Sequence, residues 1–320
     1  MTDQKLIRTC SIWRALEIVG DTPTLLILEA AWLGARRFDD FWRETRLLKA
    51  LLSDRLKRLV EANVLEKQLY STSPPRYLYR QTEKGRDLYW VALSLLQWEK
   101  DWGSKDGQSR SVTLTHKPCG HEFVPTPACN HCDGPVDATR VDWQQGPGVG
   151  WMVPQYSRRR QLRESSGEGS QLFQEAAQLM GDRWASLIMR SIFTGIRTFD
   201  EIRADTAIAT NILSERLQWL IGIGVIRQHQ YASGPTRHEY RLTRKGVSYY
   251  PALLFLMAWG DKYYVSPEGP PLLLTHKDCG QSLSPVMVCS HCRVPLAATD
   301  VAFAFTDAAP PAEASLAAAV

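Results

Sequence analysis

Apolar positions along the chain fall into blocks with helical spacing, interrupted by short alternating stretches. Near the start, Asp21 or Thr22 caps a helix with Pro23 at its first position, and the apolar run "TLLILEAAWL" follows. Gly34 ends it, a short helix starts near Phe38, and another covers about Lys49 to Glu61. Two alternating stretches, near Leu65–Tyr70 and Tyr77–Gln81, are joined by "STSPP" and predict a half-exposed hairpin. Thr82 then caps a long helix whose apolar positions Leu88, Val91, Leu95, Trp98 and Trp102 recur at three and four. Three helices, a hairpin and a long final helix are the plan of a winged helix-turn-helix.

The same plan is written twice. A shift of 161 residues lays Gly20-Asp21 on Gly181-Asp182, "LSDRL" on "LSERL" and "PPRYLYRQTEKG" on "PTRHEYRLTRKG". It also lays Trp98 on Trp259, and Thr243 caps a second long helix to Tyr263 as Thr82 caps the first. The period is too long for a solenoid, so a module of about 135 residues is duplicated in tandem. The boundaries follow: winged helices over 8–105 and 169–265, cysteine-rich segments over 112–140 and 272–302, a Gly/Pro/Ser-rich linker over 141–168, and an Ala/Pro-rich disordered tail over 303–320. Two apolar spots in the linker are candidates for docking. The predicted fold class is mainly α, with small β-hairpin wings and two short zinc-ribbon-like appendages.

Within the second copy, Leu213, Leu217 and Leu220 form the inner stripe of a helix, while Thr210, Asn211, Ser214, Glu215 and Gln218 lie on its other side. Small hydrogen-bonding residues at the front of a short helix suit base-edge readout in a major groove. The matching positions of the first copy are Lys49, Ala50, Ser53, Asp54 and Lys57. Arg55 and Arg216 match between copies as phosphate contacts, and Arg76 and Arg237 follow the turn of each wing. From Arg36 to Arg58 there are eight Lys/Arg against four Asp/Glu, and from Arg197 to Trp219 three against four. One reading head is basic and the other is not, so the two should not read the same bases.

These segments resemble the HxlR-type winged-helix transcriptional regulators. "RALEIVGDTPTLLILEAAWLGARRFDDF" and "EAAQLMGDRWASLIMRSIFTGIRTFDEI" are similar to that family's opening, and "TNILSERL", "GPTRHEYRLTRKG" and "SPPRYLYRQTEKG" to its recognition helix and wing. The first copy departs from the pattern, with Pro23 where the second has Trp184 and "LKA" where it has "ATN". The resemblance implies binding to double-stranded DNA as a dimer joined through the first and last helices. It also implies a redox or electrophile sensor at a cysteine near the position of Cys10. Arg8 and Arg14 would favour its thiolate, whereas a lone Cys at a helix start is otherwise a packing residue.

Each cysteine phrase reads H-x2-C-G-x8-C-x2-C: His116, Cys119, Cys129 and Cys132, then His276, Cys279, Cys289 and Cys292. Paired ligands two residues apart suit tetrahedral zinc, and a closed Cys3His set leaves no open position, so the zinc would be structural, two per chain. His116 and His276 are preferred as fourth ligands over His131 and His291, which directly precede a Cys. Each phrase is expected to hold its own ion; buried free thiols are the alternative.

Composition narrows the rest. No apolar run approaches the roughly 18 residues that span a bilayer, and "MTDQKLIRTC" has no apolar signal region. A cytoplasmic location is expected, where clustered cysteines are metal ligands more often than disulfides. A net charge of +4 is mild and compatible with nucleic acid. No triad, P-loop or Rossmann glycine pattern appears, so no enzyme is predicted. The reading is a sequence-specific regulator, a repressor, with both winged helices on one chain as a pseudo-dimer or with two chains as a homodimer, and with a small-molecule or redox effector. The competing reading is a protein-interaction adaptor built on degenerate winged helices.

Overall fold

The computed structural model describes residues 6–103, 111–153, 172–230 and 238–306. A short strand β1 (Ile7–Arg8) precedes the first winged helix: α1 (Ser11–Val19), α2 (Thr22–Trp32), α3 (Phe38–Thr45), α4 (Lys49–Glu61), the wing β2 (Leu65–Thr72) and β3 (Pro75–Gln81), a single turn α5 (Glu83–Arg86), and α6 (Tyr89–Trp102). Strands β4 (Ser111–His116), β5 (His121–Glu122), β6 (Pro125–Cys129), β7 (Val141–Gln145) and β8 (Trp151–Met152) follow. The second winged helix repeats the first: α7 (Gln174–Gly181), α8 (Arg183–Phe193), α9 (Phe199–Thr206), α10 (Thr210–Gly222), β9 (Ile226–Gln230), β10 (His238–Leu242), α11 (Arg244–Val247) and α12 (Tyr250–Tyr264). Strands β11 (Leu272–His276), β12 (Pro285–Cys289) and β13 (Val301–Thr306) complete it. The fold is mainly helical with small antiparallel sheets.

Helix ends follow the sequence signals. Asp21 accepts the Thr24 N–H at 2.9 Å at the start of α2, with Pro23 in its first turn. Asp182 does the same for the Ala185 N–H, also at 2.9 Å. Thr82 and Thr243 cap only the single turns α5 and α11, so each long helix starts seven residues later than its cap.

The two winged helices share one core. The first helix of each packs against the last helix of the other, α1 on α12 and α7 on α6, and α6 packs on α12. The arrangement has a pseudo-two-fold signature at atomic level. Trp98 Nε1 donates to the Lys245 carbonyl and Trp259 Nε1 to the Lys84 carbonyl, both at 2.9 Å. The α1–α12 contact is close enough that a Cβ on Gly260 would stand 2.3 Å from the Ser11 carbonyl oxygen. The match is not complete: Trp184, which has Pro23 as its counterpart, packs tilted against Trp13 of the first copy, with ring centroids 5.1 Å apart.

The cysteine-rich segments are not two separate ribbons. β4 pairs with β13, β11 with β7, and β6 with β12, so every one of these ladders joins one copy to the other. In the last, Pro127 faces Met287, its own counterpart in the duplication, which puts the pseudo-axis through that pair. Two expected boundaries therefore move. Val141–Gln145 belongs to a sheet instead of the linker, and Val301–Thr306 is a strand instead of the start of a tail. The linker's Trp151–Met152 docks as β8 on β1. The remainder of the expected linker, 154–168, and the tail from 307 onward lie outside the described residues.

Candidate nucleic-acid interface and metal centres

Helices α4 and α10 bury the leucine stripes Leu52, Leu56, Leu59 and Leu213, Leu217, Leu220. That leaves Lys49, Ser53 and Lys57 exposed on the first, and Thr210, Asn211, Ser214 and Gln218 exposed on the second. Arg76 is exposed at the start of β3. Arg237 lies outside the described residues. Lys49 sits over the Trp42 ring at 4.5 Å, Lys67 over Tyr77 at 3.7 Å and Arg37 over Tyr70 at 5.3 Å. These cations therefore stand on a partly exposed aromatic patch around the first head.

Arg55 and Arg216 are a correction. Arg55 Nε reaches Asp21 at 2.9 Å with its side chain only 13% exposed, and Arg216 makes the equivalent ion pair with Asp182. The aspartate that caps the second helix of each head thus also anchors the reading helix. Both guanidiniums are mostly buried and each is held by the capping aspartate, so neither is presented on the outer face of its helix. They leave the set of phosphate contacts.

The metal-type clusters overturn the pairing of ligands. One brings together His116, Cys119, Cys289 and Cys292; the other Cys129, Cys132, His276 and Cys279. Each takes the His-Cys half from one copy and the Cys-Cys half from the other. The reason is topological: β6 and β12 cross the axis side by side, and each ends at a cysteine that is carried to the far copy's histidine. In the first cluster His116 Nδ1 stands 3.3 Å from Cys119 Sγ and 3.2 Å from Cys292 Sγ, and Cys119 and Cys289 sulfurs are 4.0 Å apart. In the second, His276 Nδ1 stands 3.3 Å from Cys132 Sγ and 3.4 Å from Cys279 Sγ. Ligand atoms of a tetrahedral zinc with bonds of roughly 2.0–2.3 Å stand about 3.5–3.8 Å apart, so the donor sets fit such an ion.

The surroundings agree with that chemistry. Both histidine rings are fully buried, and His276 Nε2 lies 3.1 Å from the Pro135 carbonyl oxygen, which fixes the ring's other nitrogen toward the cluster. Gly120 and Gly280 take φ of 72° and 68° just after the first cysteine of each phrase. Burial pushes the Cys129 and Cys289 thiols up. Even so, backbone N–H groups two and three residues on, with the neighbouring thiols, bring both below the ordinary range. His131 belongs to neither four-residue cluster, and His291 is exposed and stacked at 3.5 Å on His121 beside Cys119.

Cys10 is 3% exposed, in the N-cap position of α1. Arg8 is ion-paired with Asp205 at 2.5 Å, and Arg14 donates to the Tyr264 carbonyl at 3.2 Å. The cations expected to activate Cys10 hold other partners, and Cys10 itself lies in the shared core.

The model of the HxlR-like helix-turn-helix family matches twice, over residues 18–107 and 179–268. The chain belongs to that family. Among relatives, it is similar to an uncharacterized HTH-type transcriptional regulator of Mycobacterium tuberculosis, 41% identical over 126 residues, covering 39% of this chain and 80% of that protein. It is also similar to the uncharacterized HTH-type transcriptional regulator YvaP of Bacillus subtilis, 33% identical over 92 residues, covering 28% of this chain and 85% of that one. HxlR-like proteins are DNA-binding transcriptional regulators, and this chain carries the family's module in duplicate. Among the described residues no helix is long and apolar enough to cross a membrane.

Sequence reasoning missed two features of this HxlR-like chain. One is the buried pair of Arg190 and Asp205, 2.7 Å apart, with Ser191 Oγ donating to the same carboxylate oxygen at 2.6 Å. The other is Glu29, buried at the place that Arg190 occupies in the second copy. A charge in the middle of each apolar helix, "TLLILEAAW" and "ASLIMRSIF", was the available signal.

Proposed function

We propose that one chain binds one operator with both heads, reads two unlike half-sites, and represses the promoter it covers. The observation that carries this is the pseudo-two-fold packing of α1 on α12, α7 on α6 and α6 on α12. It supplies within one chain the contacts through which two single-module proteins would pair. The Mycobacterium tuberculosis relative, of which 126 residues make up 80%, is about the size of one copy.

In this reading Lys49, Ser53, Lys57 and Arg76 serve the first half-site, and Thr210, Asn211, Ser214 and Gln218 the second, with Arg237 in its wing. Half-sites lie about one helical turn, or a small multiple of it, apart. Two zinc ions, held by the crossed Cys3His sets, staple the copies to each other below the heads. Zinc there is a structural tie with no open coordination position. Because each set draws on both copies, the ions also fix the distance between the heads.

Footprinting on the DNA upstream of the protein's own gene tests the proposal, together with the mass of the complex in solution. Two protected half-sites of different sequence with one chain bound are expected, and a reporter promoter should fall when the protein is supplied. A symmetric operator carrying two chains would assign the pairing to a homodimer. Loss of all DNA binding at physiological salt would favour the adaptor reading, which the acidic balance of the second head supports.

A further inference from the structure

Leu47 and Leu48 stand side by side at the turn into the first reading helix, and the fold treats them in opposite ways. Leu47 is 3% exposed, whereas Leu48 is 79% exposed. Spacing alone puts Leu48 four residues before Leu52, at the head of the buried stripe. The turn decides otherwise. Arg46 takes the left-handed conformation at φ 53°, the Leu47 N–H reaches Thr45 Oγ1 at 3.4 Å, and Leu48 takes the N-cap place of α4 with ψ of 133°. Leu47 therefore joins the core and Leu48 is turned out.

The second copy shows that the fold does not ask for a leucine there. Its turn is the same: Ala207 has φ of 52°, the Ile208 N–H reaches Thr206 Oγ1 at 3.4 Å, and Ile208 is buried in the place of Leu47. Yet the residue in the place of Leu48 is Ala209. The next two differ in kind. Lys49 and Ala50, both exposed, stand where the second head has Thr210 and Asn211. Trp42, half-exposed beneath the Lys49 ammonium, stands where it has Arg203. So the leading edge of the first head is apolar around one cation, and that of the second carries hydrogen-bonding side chains. A single exposed leucine is ordinary on a protein surface. Here its place matters, because the N-terminal residues of a reading helix are those that meet base edges.

We infer that Leu48, with Ala50 beside it, reads the 5-methyl group of thymine in the first half-site. In the major groove that methyl is the apolar mark of a T·A pair, and an apolar side chain is its match. Lys49, between them in sequence, supplies charge for a backbone phosphate. At the matching place the second head, with Thr210 and Asn211, reads donors and acceptors instead. The inference rests on the operator reading, since it needs α4 in the groove of DNA, and it adds a base and the residue that recognises it.

The test uses a duplex selected by the full chain from a random-sequence library at physiological salt, each thymine then being replaced in turn by deoxyuridine. Uracil keeps the pairing and the O4 acceptor and lacks only the methyl. In competition binding, replacement within one half-site should weaken binding about fourfold, the worth of one methyl-sized group removed from water. Leu48→Ala should weaken binding to the thymine duplex by a similar factor, and in that variant the same replacement should cost less than about twofold. Because Leu48 is exposed, the variant should melt with the wild type. A selected duplex without thymine in either half-site, a uracil series without effect, or a loss as large in Leu48→Ala as in the wild type would overturn the inference and leave the operator reading standing. Retention of no duplex at that salt would overturn both.

Discussion

The two heads can be compared position by position, and the comparison separates what the fold requires from what it leaves free. Both keep the aspartate that caps the second helix and the arginine that locks the reading helix onto it, Asp21 with Arg55 and Asp182 with Arg216. Both keep the tryptophan that reaches across to the other copy, Trp98 and Trp259. The faces turned outward have drifted: Lys49 and Lys57 in one, Thr210 and Gln218 in the other. Inside, the charge is reversed: Glu29 is buried in one head where Arg190 pairs with Asp205 in the other. The cysteine-rich segments allow no such comparison, because among the described residues each metal-type cluster draws on both copies.

The largest effect should come from that last difference. Structural zinc contributes on the order of 10 kcal/mol in zinc-finger peptides, so emptying a centre should free the crossed strands. Protein purified without added metal should hold about two zinc per chain. Elemental analysis then distinguishes the pairings: Cys119→Ser with Cys292→Ser should remove one equivalent, and Cys119→Ser with Cys132→Ser should remove both. The opposite pattern would return each ion to a single copy.

Next comes the buried pair of the second head. Arg190→Met leaves Asp205 with Ser191 and Arg8 alone, and denaturant unfolding should show a loss of about 3–5 kcal/mol, toward the lower end because Arg8 remains. Glu29→Gln in the first head should act in the other direction. The carboxyl of Glu29 is raised from 4.5 to about 8, so the folded state binds its proton more tightly. Its contribution is full below pH 4.5 and is lost as pH rises toward 8. The variant should therefore gain on the wild type across that window, by up to about 1.4 kcal/mol per pH unit. A gap independent of pH would show that Glu29 does not titrate there.

The smallest effects concern the outer faces. Asn211→Ala should relax base preference at one half-site by roughly 1–3 kcal/mol in competition binding, with the salt dependence little changed. Alanine at Lys49, Lys57 and Arg76 should flatten the salt dependence, by up to about 0.9 in log–log slope for each phosphate left without its cation. Equal salt effects from the two sets would erase the distinction between the heads. Arg55→Ala should instead lower stability, since it releases Asp21.

Much of the fold was legible because its signals are local. The Asp21 and Asp182 caps, the leucine stripes of α4 and α10 and the alternating wings are each written within about a dozen residues. Repetition at a fixed shift made the second reading confirm the first. The roles of Arg55 and Arg216 were not legible: an arginine on a helix reads as outward unless its partner, 34 residues earlier, is known to be adjacent. Glu29 lay in plain view as an interruption of an apolar run, but nothing local showed whether a cation met it.

By itself, then, the sequence determined that the chain has two winged helices, that their reading faces differ, and that two His-Cys and two Cys-Cys halves are available. Only the tertiary structure decided how those halves combine. The two cysteine phrases are near copies, so each His-Cys half has two equally suitable Cys-Cys halves, and local spacing cannot choose between them. The choice falls to nonlocal packing: α6 and α12 lie against each other, and β6 pairs with β12 across the pseudo-axis. That places each Cys-Cys half beside the other copy's histidine.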